Sequence, residues 1–250
     1  FIKKNPMNAV PTIKKSNYLA KQNKEVLPVC ETITVFADEE IERFKAEAYK
    51  KYPSGKPKHN QASAYILMLN TGLRTAEALG LINSDIDLEK KVMHIQRGVK
   101  EAQKRDGTER KSGREIVVGK LKTASSKRIV PLNETAIQAI IELRNERYFG
   151  EDAPLIPDAD GNFTRPLNLR KRFYSILDAA GIEKKGLHSL RHTFATKLVT
   201  GVRADDGTVK ALTPRQVADL LGHTTSEITE MYYVKRNTDM LMGVTNGFEL

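Results

Sequence analysis

The chain has 250 residues, of which 40% are hydrophobic, a size that suits one large domain or one domain with an appendage. Its 41 basic and 31 acidic residues give a net charge of +10, which favours a polyanionic partner, although a basic protein without such a partner fits the composition equally well. No apolar run approaches the roughly 20 residues of a membrane-spanning helix, and the lone cysteine, Cys30, excludes an intramolecular disulfide. We therefore expect no membrane span and a reducing compartment, the cytoplasm.

The first segment, residues 1–35, carries scattered lysines and three prolines with little periodicity. This composition predicts a linker or an extended arm. The chain opens on Phe1 rather than on methionine, so we expect it to be a fragment or a processed product.

Helical spacing begins at Asp38, where acidic residues suit the positive end of the helix dipole. A second helix is predicted from about Gln61 to Thr71, with Gly72 as its left-handed terminator. The stretch TGLRTAEALGL then begins a third helix and places Arg74 and Glu77 three residues apart.

Three stretches are strand candidates of one antiparallel sheet: VMHI, EIVVGKL and KRIVPL. The first two are separated by residues 97–115, a strongly polar run with Asp-Gly and Ser-Gly turn signals. This run predicts a β-hairpin or loop inserted into the sheet. Its basic residues could bind a polyanionic backbone, but the acidic residues among them make a loop that only faces solvent nearly as plausible.

Helical spacing returns in the second half of the chain. One helix is predicted around 137–141 with Asn133 as its N-cap, and another around 169–177, ended by Gly181. A short helix follows Thr213 and Pro214 and is closed by Gly222.

Between the last two of these lies GLHSLRHTFATKL, residues 186–198, which has the spacing of one buried helical face at Leu187, Leu190, Phe194 and Leu198. His188 and Arg191 sit three residues apart on another face. A guanidinium matches phosphate geometry bidentately and stays charged, so this face predicts a phosphate site. Taken alone, however, the motif is more typical of an amphipathic helix that turns polar residues to water.

Three ordered motifs, TGLRTAEALGL, HSLRHTFAT and LLGHTTSEITEMYY, resemble the catalytic motifs of the tyrosine recombinase family, the phage and mobile-element integrases. The resemblance implies an α+β fold, a mostly helical catalytic domain with a small antiparallel β-sheet, over residues 36–237. It also implies that the 1–35 arm joins this domain to a missing N-terminal DNA-clamping domain. The tail, residues 238–250, is expected to pack in cis or on a neighbouring subunit.

The resemblance assigns six catalytic residues: Arg74, Lys122, His188, Arg191, His223 and Tyr232. In this assignment the arginines hold the non-bridging oxygens of the scissile phosphate, where negative charge accumulates in the transition state. The histidines share proton transfer or donate hydrogen bonds to the same phosphate. Glu77 is expected to orient Arg74 rather than to react.

Lys122 is the expected general acid for the leaving 5′-oxygen, and Lys120 and Lys127 are its rivals. The expected nucleophile is Tyr232, which lies nine residues after His223 and directly before Tyr233. A covalent 3′-phosphotyrosine bond preserves the energy of the broken phosphodiester, so that another strand can reverse the step.

Neither a metal ion nor another cofactor is expected, because two arginines and a lysine supply the positive charge that other phosphoryl-transfer enzymes take from Mg²⁺. The implied partners are double-stranded DNA with recombination sites and further copies of the chain, assembled on DNA as a dimer to tetramer in the bacterial cytoplasm.

The sequence therefore predicts a site-specific recombinase that integrates and excises a mobile element. Two alternatives stay open: a type IB topoisomerase, which shares this chemistry, and a DNA-binding regulator that kept the fold without catalysis.

Overall fold

The structure is a computed structural model that describes residues 34–106, 109–120, 127–203 and 208–222. The chain divides after Ile33 into two units, Phe1–Ile33 and Thr34–Leu250. The first unit, which holds nearly all of the predicted arm, lies outside the described residues, and so does the predicted tail at 238–250.

The helices within the described residues are α1 (Asp38–Ala48), α2 (Ser63–Thr71), α3 (Thr75–Gly80), α4 (Glu134–Glu146), α5 (Pro166–Ala179), α6 (His188–Thr200) and α7 (Pro214–Leu221). Each helix predicted there from apolar spacing is confirmed. The start of α2 was predicted two residues too early, because Gln61 adopts a left-handed conformation with φ of 55° while its backbone N–H donates to the Glu146 carboxylate.

Three predicted caps are confirmed, and they fix where helices begin and end. The Asn133 side chain accepts a hydrogen bond of 2.8 Å from the backbone N–H of Ala136, at the start of α4. Gly72 closes α2 with φ of 63°, and Gly222 closes α7 with φ of 66°. The chain therefore turns sharply just before Arg74 and just before His223.

The strands are β1 (Ile86–Asp87), β2 (Val92–Ile95), β3 (Arg97–Asp106), β4 (Glu109–Lys120), β5 (Arg128–Pro131), β6 (Val202–Arg203) and β7 (Val209–Lys210). One antiparallel sheet has the order β1-β2-β5, with Met93 opposite Val130 and both side chains buried. The pair β6–β7 was missed, since two-residue strands carry no periodic signal.

The predicted hairpin at residues 97–115 is present but extends further along the chain than predicted. This run forms β3 and part of β4, and the antiparallel pair continues to Lys120 as a separate two-stranded ribbon. The predicted strand EIVVGKL therefore pairs with β3 and not with the β1-β2-β5 sheet. Val99 anchors the base of the ribbon in the core at 1% exposed, and Gly80 of α3 lies against its backbone at Arg97.

The core is organised around α2, which contacts α4 and α6 and is buried on almost every side. Tyr65 of this helix packs with Phe44 and Phe173 at ring-centroid distances of 5.3–6.4 Å, and the Tyr65 hydroxyl donates to the Leu169 carbonyl. A smaller apolar cluster joins α6 to α7. The predicted α+β fold with small antiparallel sheets is confirmed, and no helix of the described ranges has the length and apolar character to cross a membrane.

Candidate active site

Arg74 is held at the start of α3 by Glu77. The left-handed turn at Gly72 ends α2, and two residues later the Arg74 backbone N–H donates to Glu77 Oε2 at 2.9 Å. The Arg74 guanidinium Nη1 donates to Oε1 of the same carboxylate at 2.7 Å. The contact expected between Glu77 and Arg74 is therefore present, and 33% of the Arg74 side chain remains exposed to solvent.

Arg191 reaches the same carboxylate from α6. Its side chain is only 4% exposed, and Nη1 lies 3.9 Å from Glu77 Oε2. Nη1 also donates to the Gly72 carbonyl at 2.7 Å, and Nη2 donates to the Leu221 carbonyl at 2.9 Å. Arg191 thus connects the ends of α2 and α7, and it converges with Arg74 on one carboxylate although they are far apart in sequence.

A third guanidinium, that of Arg128 at the start of β5, completes the group around Glu77. Its Nη1 and Nη2 donate to the two carboxylate oxygens at 3.1 and 3.0 Å. Burial raises the pKa of Glu77, but the hydrogen bonds and charge of Arg128 and the hydrogen bonds from Arg74 outweigh that effect, so the pKa lies below its usual value. Three guanidinium groups around one carboxylate leave a surplus of two positive charges.

His188 stands beside this group as the first residue of α6 and is exposed to solvent. Although part of the residue is exposed, partial desolvation of the ring, followed by the charges of Arg191 and Arg74, lowers the pKa of His188, while the Glu77 carboxylate opposes the shift. The His192 ring lies edge-on with its centroid 5.5 Å away. The lowered pKa favours the neutral imidazole, which can accept a proton or donate a hydrogen bond.

The sequence profile of the Phage integrase family matches residues 34–239, most of the chain. The chain belongs to this family. The predicted resemblance to tyrosine recombinases is thereby confirmed.

Curated relatives agree with this assignment. The tyrosine recombinase XerC-like protein of Caldanaerobacter subterraneus subsp. tengcongensis is 31% identical over 207 residues, which cover 78% of this chain and 50% of the relative. The tyrosine recombinase XerC of Corynebacterium glutamicum is 28% identical over 178 residues, or 70% of this chain and 46% of the relative. The chain thus spans about half the length of the curated relatives it matches.

Solved structures show the same fold at lower identity. The Tn1549 transposon integrase in complex with transposon right end DNA aligns with a TM-score of 0.65 and 19% identity, over 96% of this chain and 72% of that one. The XerA recombinase aligns with a TM-score of 0.58 and 19% identity, over 99% of this chain and 70% of its own.

The described residues of this integrase-family domain bring together half of the predicted catalytic set: Arg74, His188 and Arg191. The other predicted members, Lys122, His223 and Tyr232, lie outside the described residues. Of the alternatives, Lys127 is exposed directly before β5, and Tyr233 also lies outside the described part.

Sequence reasoning missed Arg128, although a signal for it exists. Strand β5 alternates, so that Arg128 falls on the same side as buried Val130, while Ile129 between them is 58% exposed. A charged residue on the inward side of a strand needs a buried partner. The strand pattern alone therefore indicates an ion pair at this position but not which carboxylate forms it.

The chemistry open to this group is that of anion binding. Within the four described ranges, no group of three His, Cys, Asp or Glu side chains could hold a metal ion. The surplus positive charge is fixed by hydrogen bonds before any ligand arrives. Such preorganised donors stabilise developing negative charge with little reorganisation.

Proposed function

We propose that this chain is the catalytic part of a site-specific DNA recombinase that cleaves and rejoins strands through a 3′-phosphotyrosine intermediate. The observation that carries the proposal is the convergence of Arg74 and Arg191 on one buried carboxylate, with His188 beside them. A single phosphate of double-stranded DNA has the charge and size to lie against that group. The family membership supports the same activity.

Each described side chain has a part in this proposal. Arg74 and Arg191 hold the non-bridging oxygens of the scissile phosphate and stabilise the charge that accumulates during attack. His188, whose pKa is lowered by desolvation and by these arginines, shares in moving the proton of the nucleophile or donates a hydrogen bond. His223, which follows Gly222 in the sequence, is proposed to flank the same phosphate.

The nucleophile of the proposed reaction is the hydroxyl of Tyr232. Its attack on phosphorus forms a phosphotyrosine bond and breaks the bond to the 5′-oxygen, which leaves as a hydroxyl once it has received a proton. Resealing runs the same step backwards with a 5′-hydroxyl from another strand. We assign integration and excision of a mobile element to this cycle, in keeping with the transposon integrase among the structural neighbours.

The nucleophile is tested with a pool of nicked duplexes of randomised sequence. Cleavage releases a short fragment that diffuses away, so the strand cannot be resealed and the protein–DNA adduct accumulates. Mass spectrometry is expected to find DNA on Tyr232. Tyr232→Phe should abolish the adduct, and Tyr233→Phe should retain it. An adduct on Tyr233 would overturn the assignment, and DNA binding without any adduct would favour a non-catalytic regulator. Relaxation of supercoiled plasmid by the monomer would favour a type IB topoisomerase.

Lys122 is proposed as the general acid, and the same assay separates it from its rivals. Sulfur in place of the leaving 5′-oxygen departs without needing a proton. Lys122→Ala should slow cleavage of the oxygen substrate by about 10²-fold or more but leave the sulfur substrate nearly unaffected. Lys120→Ala and Lys127→Ala are the matched controls, and the acid is whichever lysine shows this rescue.

Recombination requires more than one active site, so we propose that the chain assembles on DNA as a dimer to tetramer. The tail at 238–250 is proposed to dock on a neighbouring copy. A groove of about 750 Å³ between α1 and α6 offers an apolar surface at Ile41, Phe194 and Leu198. Deleting the tail should reduce assembly on DNA in sedimentation while the fold stays intact, and unchanged assembly would count against it.

A further inference from the structure

Arg128 differs from the other two arginines of the site in that its side chain connects β5 with two other elements at once. Only 7% of the side chain is exposed. Its Nη atoms hold both oxygens of Glu77 on α3, and its Nε donates to the Leu220 carbonyl on α7 at 2.9 Å. The two contacts cross 51 and 92 residues of sequence.

The contact with Leu220 falls on the end of a helix. The last carbonyls of a helix lack intrahelical partners and carry partial negative charge, so a guanidinium is a suitable partner for them. Arg128 takes the Leu220 carbonyl, and Arg191 takes the next one, that of Leu221. Two adjacent carbonyls of α7 are thereby tied to the group around Glu77.

The position of this attachment matters because of what adjoins it along the chain. Gly222 ends α7 in a left-handed conformation, and the next residue is His223. On the other side, Arg128 begins β5 six residues after Lys122. The last turn of α7 is therefore held by two arginines that also contact the carboxylate that orients Arg74.

We infer that Arg128 is a positioning residue for the proposed strand-cleavage reaction, which fixes the end of α7 and thereby the start of the His223 segment relative to Arg74. The inference rests on the proposed function. Arg128 acts through Glu77 and an α7 carbonyl rather than on the phosphate, because its Nε and both Nη atoms already donate to those protein acceptors.

The geometry of the contacts requires arginine. A guanidinium presents its N–H groups in a rigid planar fork, whereas lysine offers one ammonium on a flexible stem. Arg128→Lys therefore keeps the charge next to Glu77 but cannot hold both carboxylate oxygens and the Leu220 carbonyl together. A role of charge alone would survive this substitution, and a positioning role would not.

The matched control is Arg144→Lys. Arg144 also makes part-buried hydrogen bonds that join two elements, since its Nε donates to Asn83 Oδ1 at 3.2 Å and its Nη2 to the Asn83 carbonyl at 2.9 Å. None of these contacts involves the group around Glu77. Arg144→Lys thus shows how far the loss of any guanidinium that joins two elements changes hydrogen exchange and the cleavage rate.

Two measurements on the full 250-residue protein test the inference. In hydrogen–deuterium exchange, Arg128→Lys should speed exchange in the last turn of α7 while leaving α4 and α5 unchanged. In single-turnover cleavage of the nicked pool, the rate at saturating DNA should fall about 10- to 100-fold, as expected for a small misplacement of reacting groups. The DNA concentration for half-saturation should stay the same.

The inference is overturned if Arg128→Lys leaves α7 exchange unchanged, or if its cleavage rate falls no more than that of Arg144→Lys. A loss confined to DNA affinity would also overturn it, because that result would make Arg128 a phosphate contact. If the wild-type protein forms no adduct, the proposed function fails. The exchange experiment then still decides whether Arg128 fixes the end of α7. Should Arg128→Lys fail to fold, Arg128→Met is compared with Arg144→Met, and hydrogen exchange in the last turn of α7 alone then decides the inference.

Discussion

Two glutamates of this molecule, Glu47 and Glu77, are alike in burial and in their number of basic partners but have different roles in the fold. Each side chain is 2% exposed, and each contacts three basic side chains. The partners of Glu47 are Lys50, Lys58 and His59. The partners of Glu77 are Arg74, Arg128 and Arg191.

The difference lies in where the partners come from. The bases around Glu47 lie within twelve residues of it, and its two lysines are 56% and 39% exposed. The guanidinium groups around Glu77 come from the N-cap of α3, from β5 and from α6, and Arg128 and Arg191 also bind backbone carbonyls at the ends of α2 and α7. The first cluster secures one loop, whereas the second joins distant elements and concentrates positive charge.

The largest expected contrast is between Glu77→Gln and Glu47→Gln. Glu77→Gln leaves the buried guanidiniums without a carboxylate, which should cost about 3–5 kcal/mol of unfolding free energy and slow adduct formation by about 10²- to 10³-fold. Glu47→Gln should lower unfolding free energy by about 1–3 kcal/mol and leave the cleavage rate unchanged. Denaturant titration and the nicked-pool assay, run well below each unfolding midpoint, measure both.

Equal cleavage by the two glutamine variants would show that the group around Glu77 is only structural. A cleavage defect in fully folded Glu47→Gln would also contradict the comparison, because Glu47 would then contribute to cleavage as Glu77 does.

A smaller effect is expected at one glycine in each region. Gly72 has φ of 63°, and a Cβ there would lie 2.5 Å from side-chain atoms of Leu221 and Phe194. Gly55, in the loop that carries the partners of Glu47, has φ of 80° and open space around it. Gly72→Ala should cost about 2–4 kcal/mol, from backbone strain plus overpacking, and Gly55→Ala only about 1–2 kcal/mol from strain.

Thermal and denaturant unfolding measure this difference, and Gly72→Ala should also slow cleavage because Arg191 donates to the Gly72 carbonyl. Equal losses of stability would mean that the neighbours of Gly72 move aside at little cost.

The smallest expected effect is a difference in the pH range over which His192 and Glu47 affect the stability of the fold. Desolvation, then the charges of His188 and Arg191, lower the pKa of His192 from 6.5 to about 4, so the unfolded chain binds more protons between those values and stability falls as pH drops through that window. Hydrogen bonds from His59, Lys50 and Lys58 lower the pKa of Glu47 from 4.5 to about 2, so its stabilisation is lost at lower pH, between 4.5 and 2.

Unfolding midpoints measured from pH 7 to pH 2 test this separation. His192→Phe should make the upper part of the profile shallower, and Glu47→Gln the lower part. The lowered pKa of Glu77 adds to the lower window, so Glu47→Gln should not flatten it completely. If His192→Phe changed only the lower window, this account of His192 would be refuted.

Much of this fold could be predicted from local pattern. Apolar spacing predicted the helices, and Asn133, Gly72 and Gly222 predicted their ends, because these features depend on residues a few positions apart. The ribbon at β3–β4 was predicted as a hairpin insertion but placed in the wrong sheet. Strand pairing depends on partners elsewhere in the chain, which a strand's own sequence does not specify.

Within the site, the sequence motifs placed Arg74, His188 and Arg191 in one set, while Arg128 was missed. Its residue type and strand position indicate a buried partner, but nothing near it in sequence identifies Glu77. Phe194 and Leu198 were expected on a buried face and are only partly buried, because both line the groove between α1 and α6.

By itself, the sequence determined the helices, their caps, the three motifs and the family, because each of these depends on residues that are close together along the chain. Only the tertiary structure decided that β5 and α6 each send an arginine to the carboxylate that Arg74 contacts from three residues away. The physical reason is that a buried carboxylate gathers whichever cations the packing of distant elements brings within hydrogen-bonding reach.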